Sequence, residues 1–212
     1  GLEVHVVGPE AQPLVRVLGE QLSAMVRKIH EDKGVVFHLG KKGVRIEADA
    51  VILDDGTRLA ADLVVAGVGV RPRTELAEKA GLKVDRGVVT DEHLRAAPHV
   101  YAIGDIARFP GLDGQLVRIE HWVVAQRHGE SVARSILGDE APFRDVSFFW
   151  SAHFDVTIRY VGHAESWDRS EVSGDPMKHD ASVRYWKGAR LLAVATVGRD
   201  LEALEASRDR GA

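Results

Sequence analysis

Two short clusters hold the residue types that could do chemistry: Gly104-Asp105 and Glu120-His121-Trp122. The first closes an apolar run, Val100-Tyr101-Ala102-Ile103, with the length and composition of a buried strand. Open α/β sheets bind ligands outside the carboxyl ends of their strands, so Asp105 is placed to hold a cofactor. The second cluster opens a helical pattern that runs to Leu137. A helix N-terminus offers free N–H groups and partial positive charge, which suits a negatively charged ligand edge. Within that helix Ala125, Gly129 and Ala133 recur every fourth residue and leave one face nearly bare. Such a face lets the backbone approach a strand or ligand closely. The ten histidines are scattered without a His-Glu-x-x-His spacing, and no Gly-x-Ser-x-Gly turn occurs. No metal site is therefore expected, and hydrolase chemistry has little support.

The elements that would position these clusters follow from periodicity. Leu2 to Val7 has the pattern of a buried strand, and Leu22, Met25, Val26 and Ile29 repeat at helical spacing within a helix from about Gly19 to Lys33. Gly34 ends it and Val35-Val36-Phe37 begins a second strand, which makes a β-α-β unit. Gly43 to Leu53 predicts one or two strands with a turn at Asp54-Asp55-Gly56, and Asp62 to Ala66 predicts another buried strand. Gly67-Val68-Gly69-Val70-Arg71-Pro72 is a loop, Thr74 to Gly81 a short helix, and Gly87 to Thr90 a small strand. Pro142 to Trp150 is a link to a β-rich stretch over 157–198, and a helix is expected over 199–207. Within that stretch, Val183 to Trp186 and Leu191 to Ala195 flank Lys187-Gly188-Ala189-Arg190 as a β-hairpin.

Taken together, Val-Tyr-Ala-x-Gly-Asp, a loop, and His-Trp-x-x-Ala-x-x-x-Gly resemble the second FAD-binding segment of flavin-dependent pyridine nucleotide oxidoreductases. The likeness is to the ferredoxin reductases of oxygenase systems and the apoptosis-inducing-factor-like proteins. It implies an α/β fold of partial Rossmann-like FAD- and NAD(P)-binding domains followed by a small α+β domain. The implied divisions are 1–73 for the NAD(P) part, 74–140 for the FAD segment and 141–212 for the C-terminal domain. By the same resemblance Gly104-Asp105 meets the FAD ribityl chain, and His121 and Trp122 meet the isoalloxazine edge. Glu120 faces the nicotinamide, and Trp150 of Phe149-Trp150-Ser151 approaches the flavin pocket. Gly69 lets the backbone pass close to the nicotinamide, and Glu10 takes the ribose hydroxyls, two residues beyond Gly8, where the family usually places the acid. Each residue has a structural alternative. Asp105 could cap or brace a loop, His121 could cap the helix, Trp122 and Trp150 could be core, Glu10 could be an exposed turn carboxylate, and Gly69 could serve a tight turn.

The function implied is an FAD-dependent NAD(P)H oxidoreductase that passes electrons from NADH, preferred over NADPH, to a ferredoxin-type iron–sulfur protein. The rival is a non-catalytic nucleotide-binding or interaction module on the same fold. A net charge of -4 gives no reason to expect nucleic acid, and no apolar run is long enough to span a bilayer. With no cysteine in the 212 residues, a disulfide framework and a redox dithiol are excluded here, against the glutathione- and thioredoxin-reductase modes. A cytoplasmic protein is expected, and the resemblance admits a homodimer. No Gly-x-Gly-x-x-Gly occurs; Gly67-Val68-Gly69 comes nearest, with Pro72 where the third glycine belongs. The resemblance places such turns upstream, so this stretch is expected to be part of a longer polypeptide that binds FAD weakly alone.

Overall fold

The computed structural model describes residues 1–139 and 141–211. In chain order its elements begin with β1 (Val4–Gly8), α1 (Val15–Glu31), β2 (Val35–Leu39), β3 (Gly43–Ile46), β4 (Ala50–Leu53), β5 (Arg58–Ala60) and α2 (Glu75–Lys79). Next come β6 (Val88–Val89), β7 (Arg95–Ala97), β8 (Val100–Tyr101), β9 (Ala107–Pro110), β10 (Leu116–Val117) and α3 (Trp122–Ile136). The last are β11 (Phe148–His153), β12 (Val156–Gly162), β13 (Arg169–Asp175), β14 (Asp180–Lys187), β15 (Arg190–Val197) and α4 (Asp200–Gly211). By backbone contacts the chain divides into two units. One holds Gly1–Val68, Ser151–Ile158 and Ala164–Asp200; the other holds Gly69–Trp150, Arg159–His163 and the residues from Leu201 on.

In the first unit β1 and β2 run parallel, from Val4 opposite Val35 to Gly8 opposite Leu39, with α1 as the crossover. The expected β-α-β unit is present. Leu22, Met25, Val26 and Ile29 are all buried, as their spacing requires. The helix begins earlier than predicted, at Val15, and breaks at Gly19, whose backbone is not helical. There the Leu18 carbonyl accepts a hydrogen bond of 2.7 Å from the Tyr185 hydroxyl. Strands β3, β4 and β5 form an antiparallel meander closed by the predicted turn. Two expectations fail here. Strand β1 is not buried, since Val4 is 42% and Val6 38% exposed; it belongs to a two-stranded sheet that no further strand joins among the described residues. Asp62 to Ala66 is not a strand at all. Leu63 and Val65 are 80% and 85% exposed, and no described strand pairs with them. An apolar run signals that a stretch could be buried, but only a partner strand satisfies its backbone and makes it one.

The second unit carries the two clusters. Strand β9 pairs with β6 in parallel and with β10 antiparallel, and β7 and β8 form a separate antiparallel pair. The predicted buried strand over Val100 to Ile103 is shorter than expected. Only Val100–Tyr101 is extended in the sheet, Ala102 is buried, and Val100 and Ile103 are 40% and 41% exposed. The core of this region is built from Leu94, Ala107, Phe109, Ile119, Val124, Val132 and Phe143. Toward the C-terminus, five strands form a sheet in the order β11-β12-β15-β14-β13, followed by α4. The predicted hairpin is β14 and β15, paired antiparallel from Ala181 opposite Val197 to Lys187 opposite Arg190. Inward residues Ala181, Val183, Tyr185, Ala193 and Ala195 are essentially inaccessible. The α+β character expected of this region is therefore observed.

Candidate cofactor site

Gly104, Asp105, Glu120, His121, Trp122 and Trp150, all in the second unit, gather around one turn and one helix end. After Ala102 the chain enters a 3-10 turn over Gly104–Ile106. Gly104 adopts φ 69°, a left-handed conformation, and a Cβ on it would lie 3.3 Å from the Ala125 Cβ. Both facts call for glycine: the backbone is strained for other residues, and the contact with α3 is already close. The small face of α3 is thus used at Ala125 against Gly104. It is not a continuous contact face, because no atom lies within 4 Å of a Cβ built on Gly129, and Ala133 is exposed.

The turn is held from two sides. Its Gly104 amide donates to Nδ1 of His128, which is wholly buried, at 3.1 Å. Arg118 donates to the Asp105 carbonyl at 3.0 Å and through the same nitrogen pairs with Glu120. These two restraints leave the Asp105 side chain exposed, and its carboxylate accepts no hydrogen bond among the described residues. Asp105 is therefore no helix cap and no side-chain loop brace.

His121 occupies the N-cap of α3 in extended conformation without making a side-chain cap. The first-turn N–H groups of α3 have no intrahelical acceptor by the geometry of an α-helix, so the helix end stays available to a ligand. The His121 ring lies 4.7 Å from that of Phe149, and its Nδ1 is buried without a partner among the described residues. Burial first, and His163 second, lower its pKa from the ordinary value, with Asp105 and Glu120 opposing. A neutral ring is the outcome around neutral pH. Trp122 and Trp150 stand edge to face at 5.8 Å and are 64% and 47% exposed, so neither is a core residue. Phe149 stacks on Tyr160 at 4.9 Å behind them.

Two further candidates remain, Glu10 and Gly69. Glu10, in the first unit just beyond β1, is half-buried and paired with Arg16 at 3.0 Å. Gly69 is exposed in an irregular stretch at φ 90°, and no atom would touch a Cβ there. Sequence reasoning missed His128 as a support of the turn. Its signal was its spacing, four residues from both Val124 and Val132, which places a polar ring in the apolar stripe of α3. It also could not foresee that His30 and His153, far apart in the chain, meet at 3.0 Å in the first unit, with Ser151 on the far nitrogen of His153 at 3.1 Å. Among the described residues no group of three or more His, Asp or Glu side chains could hold a metal ion. No described helix is long and apolar enough to cross a membrane.

The second unit offers an uncommitted carboxylate, an open helix N-terminus, an unpartnered imidazole nitrogen and two exposed indoles. That donor set fits a ligand with hydroxyls, an electron-rich polar edge and a flat ring system. With a parallel β-α-β unit in the same chain, it defines a protein of the dinucleotide-binding α/β class. Residues 1–129 match the model for the pyridine nucleotide-disulphide oxidoreductase family, and residues 148–209 match the reductase C-terminal domain. The chain belongs to the pyridine nucleotide-disulphide oxidoreductase family. It is 37% identical to putidaredoxin reductase of Pseudomonas putida over 95% of its own length and 50% of that protein's. It is 34% identical to the ferredoxin–NAD(+) reductase component of the anthranilate 1,2-dioxygenase system of Burkholderia cepacia, over 96% of this chain and 52% of that one. The structure also resembles that of the covalent putidaredoxin reductase–putidaredoxin complex, with a TM-score of 0.93 and 36% identity over 99% of this chain and 53% of that one. The chain spans about half the length of the curated relatives it matches.

Proposed function

We propose that this chain is part of an FAD-dependent NADH oxidoreductase that reduces a ferredoxin-type protein. The observation that carries this reading is the free Asp105 carboxylate beside the open N-terminus of α3. Family membership and relatives named as ferredoxin reductases support it. The bound FAD would supply the redox chemistry, accepting hydride from the nicotinamide and yielding electrons singly to the acceptor.

The residues bind and orient. Asp105 accepts hydrogen bonds from the ribityl hydroxyls, and Gly104 admits the close approach. The first turn of α3 places its N–H groups and positive end against the polar edge of the ring system, which favours added negative charge. His121, held neutral by burial, offers Nδ1 as a hydrogen-bonding atom without adding a charge. Trp122 and Trp150 wall the ring and exclude water. Glu120 is restrained by Arg118 on the nicotinamide side. Glu10 receives the adenosine ribose of NADH, and Gly69 lies along the nicotinamide path. The divisions 1–73, 74–140 and 141–212 correspond to the NAD(P), FAD and C-terminal parts in this reading.

Arg118, Arg127 and Arg134, in and just before α3, would offer the acceptor a basic docking face, but not all three charges are free. Arg118 is paired with Glu120 and Arg127 with Asp145, while Arg134 has no ion pair among the described residues. The deciding experiment is a visible spectrum of the whole purified protein. Yellow protein bleached by NADH, with reoxidation by a ferredoxin, supports the reading. Colourless protein that gains no flavin absorbance on incubation with FAD sinks it and favours a non-catalytic module.

A further inference from the structure

His128 is the polar residue on the buried face of α3, and it has no access to solvent. A backbone N–H can only donate, so the 3.1 Å contact from Gly104 fixes Nδ1 as the acceptor and puts the ring proton on Nε2. That second nitrogen is buried without a partner among the described residues. Phe109 and Phe143 stand perpendicular to the ring, each at 4.5 Å, and close it in hydrocarbon. The elements around it present no charge. The turn offers the Gly104 amide, β9 offers Phe109, and the segment before β11 offers Phe143. The charged neighbours are engaged elsewhere: Arg108 with Asp85, Arg127 with Asp145 and Arg144 with Glu92, while Asp105 is exposed. Burial alone pulls the imidazole pKa down to about 4.

We propose that neutral His128 is the positioning residue that sets the Gly104-Asp105 turn and so aims the Asp105 carboxylate, making FAD retention sensitive to protonation of a buried imidazole. A proton added at Nδ1 faces the Gly104 N–H donor to donor, and the charge sits between two phenyl rings with no counter-ion. The ring leaves its place or the turn lets go; either displaces Asp105. The linkage is reciprocal, so a ligand that binds the intact turn makes His128 still harder to protonate. The effect on FAD rests on the reading of Asp105 proposed above, whereas the His128–Gly104 bond stands independently of it.

The test compares the whole protein with His128→Gln and His128→Leu. A glutamine oxygen accepts from Gly104 and does not titrate in this range, whereas leucine fills the space without an acceptor. Flavin fluorescence measures FAD affinity from neutral to acid pH. Ring and amide nitrogen NMR of His128 and Gly104, with hydrogen exchange of the Gly104 amide, follows the bond itself without flavin. The wild type should lose FAD along a one-proton acid limb. His128→Gln should bind within roughly threefold of wild type at neutral pH and lack that limb. His128→Leu should bind roughly tenfold or more weakly, as for loss of a buried hydrogen bond, and its Gly104 amide should exchange faster. The proposal is overturned if Nδ1 carries the ring proton at neutral pH, or if His128→Gln keeps the wild-type acid limb. It is equally overturned if His128→Leu binds FAD as the wild type does. A wild type that binds no FAD, yet shows Nδ1 unprotonated and the Gly104 amide protected, removes the FAD reading and leaves the turn-setting role intact. Should the leucine variant fail to fold, the glutamine profile and the wild-type nitrogen shifts decide alone.

Discussion

Asp105 is exposed while the backbone around it is fastened, by His128 at Gly104 and by Arg118 at the Asp105 carbonyl. With the backbone pre-set, only the side chain of Asp105 is left to order on binding, so most of the strength of its hydrogen bonds is retained. Asp105→Ala should therefore cost roughly 1–3 kcal/mol of FAD affinity with unchanged thermal stability, since the side chain braces nothing in the chain. A flavin titration and a melting curve check both halves, and an unchanged affinity would remove Asp105 from the site. Protons act one residue layer deeper. The folded-state pKa of His128 lies near 4, below its ordinary 6.5, so the unfolded chain binds the proton first as pH falls. Stability from this group is fully present above 6.5 and declines by roughly 1.4 kcal/mol per pH unit down to about 4. Urea unfolding across that range should show a slope that His128→Leu loses. Beyond β1, Glu10 and Arg16 neutralise one another. Glu10→Ala would free Arg16 for a 2′-phosphate, so stopped-flow flavin reduction should shift toward NADPH, and an unchanged NADH preference would place Glu10 outside the ribose site. The sequence made Asp105, His121 and Trp122 legible because their types and spacing are local. It left the Arg16 partner of Glu10 illegible, because a surface ion pair leaves no pattern in the chain.

At the level of elements, periodicity was most informative where a single stripe decides burial. Leu22, Met25, Val26 and Ile29 point inward as predicted, and the β14–β15 hairpin forms where its turn residues place it. Periodicity misled where an element depends on a neighbour remote in sequence, as at Val100 to Ile103, whose ends are exposed around a two-residue strand. Backbone detail was equally hidden. Gly198, just after β15, has φ 67°, and a Cβ on it would collide with the His179 carbonyl. Gly188, in the hairpin turn, has φ 58° but nothing within 4 Å. Alanine at Gly188 should cost about 1 kcal/mol, the left-handed penalty alone. Alanine at Gly198 adds a backbone clash that no side-chain rotation relieves and should cost roughly 3 kcal/mol or more. Chemical denaturation of the two variants side by side gives the comparison, and equal losses would show that the backbone near His179 yields easily.

For the whole molecule, surface matters more than net charge. Leu63, Val65 and Val68 are 80%, 85% and 93% exposed along one stretch outside any described strand or helix, on a chain whose formal charge is only -4. Free backbone groups beside apolar side chains form a template for strand pairing, and a small net charge does little to prevent it. Burying one such side chain gains roughly 1.5–3 kcal/mol, so three within six residues can drive association at ordinary protein concentrations. In the relatives, the matched part is accompanied by about as much chain again. The 212 residues expressed alone should therefore self-associate in a concentration-dependent way. Light scattering during size-exclusion chromatography should show species larger than the 23.2 kDa monomer. Replacing Leu63 and Val65 with threonine keeps extended-chain propensity but removes much of the apolar surface, and it should return the chain toward monomer without lowering its melting temperature. A wild-type chain that stays monomeric at high concentration would mean that this stretch folds back on the chain's own surface. Hydrogen-exchange protection of the Leu63 and Val65 amides would locate that contact.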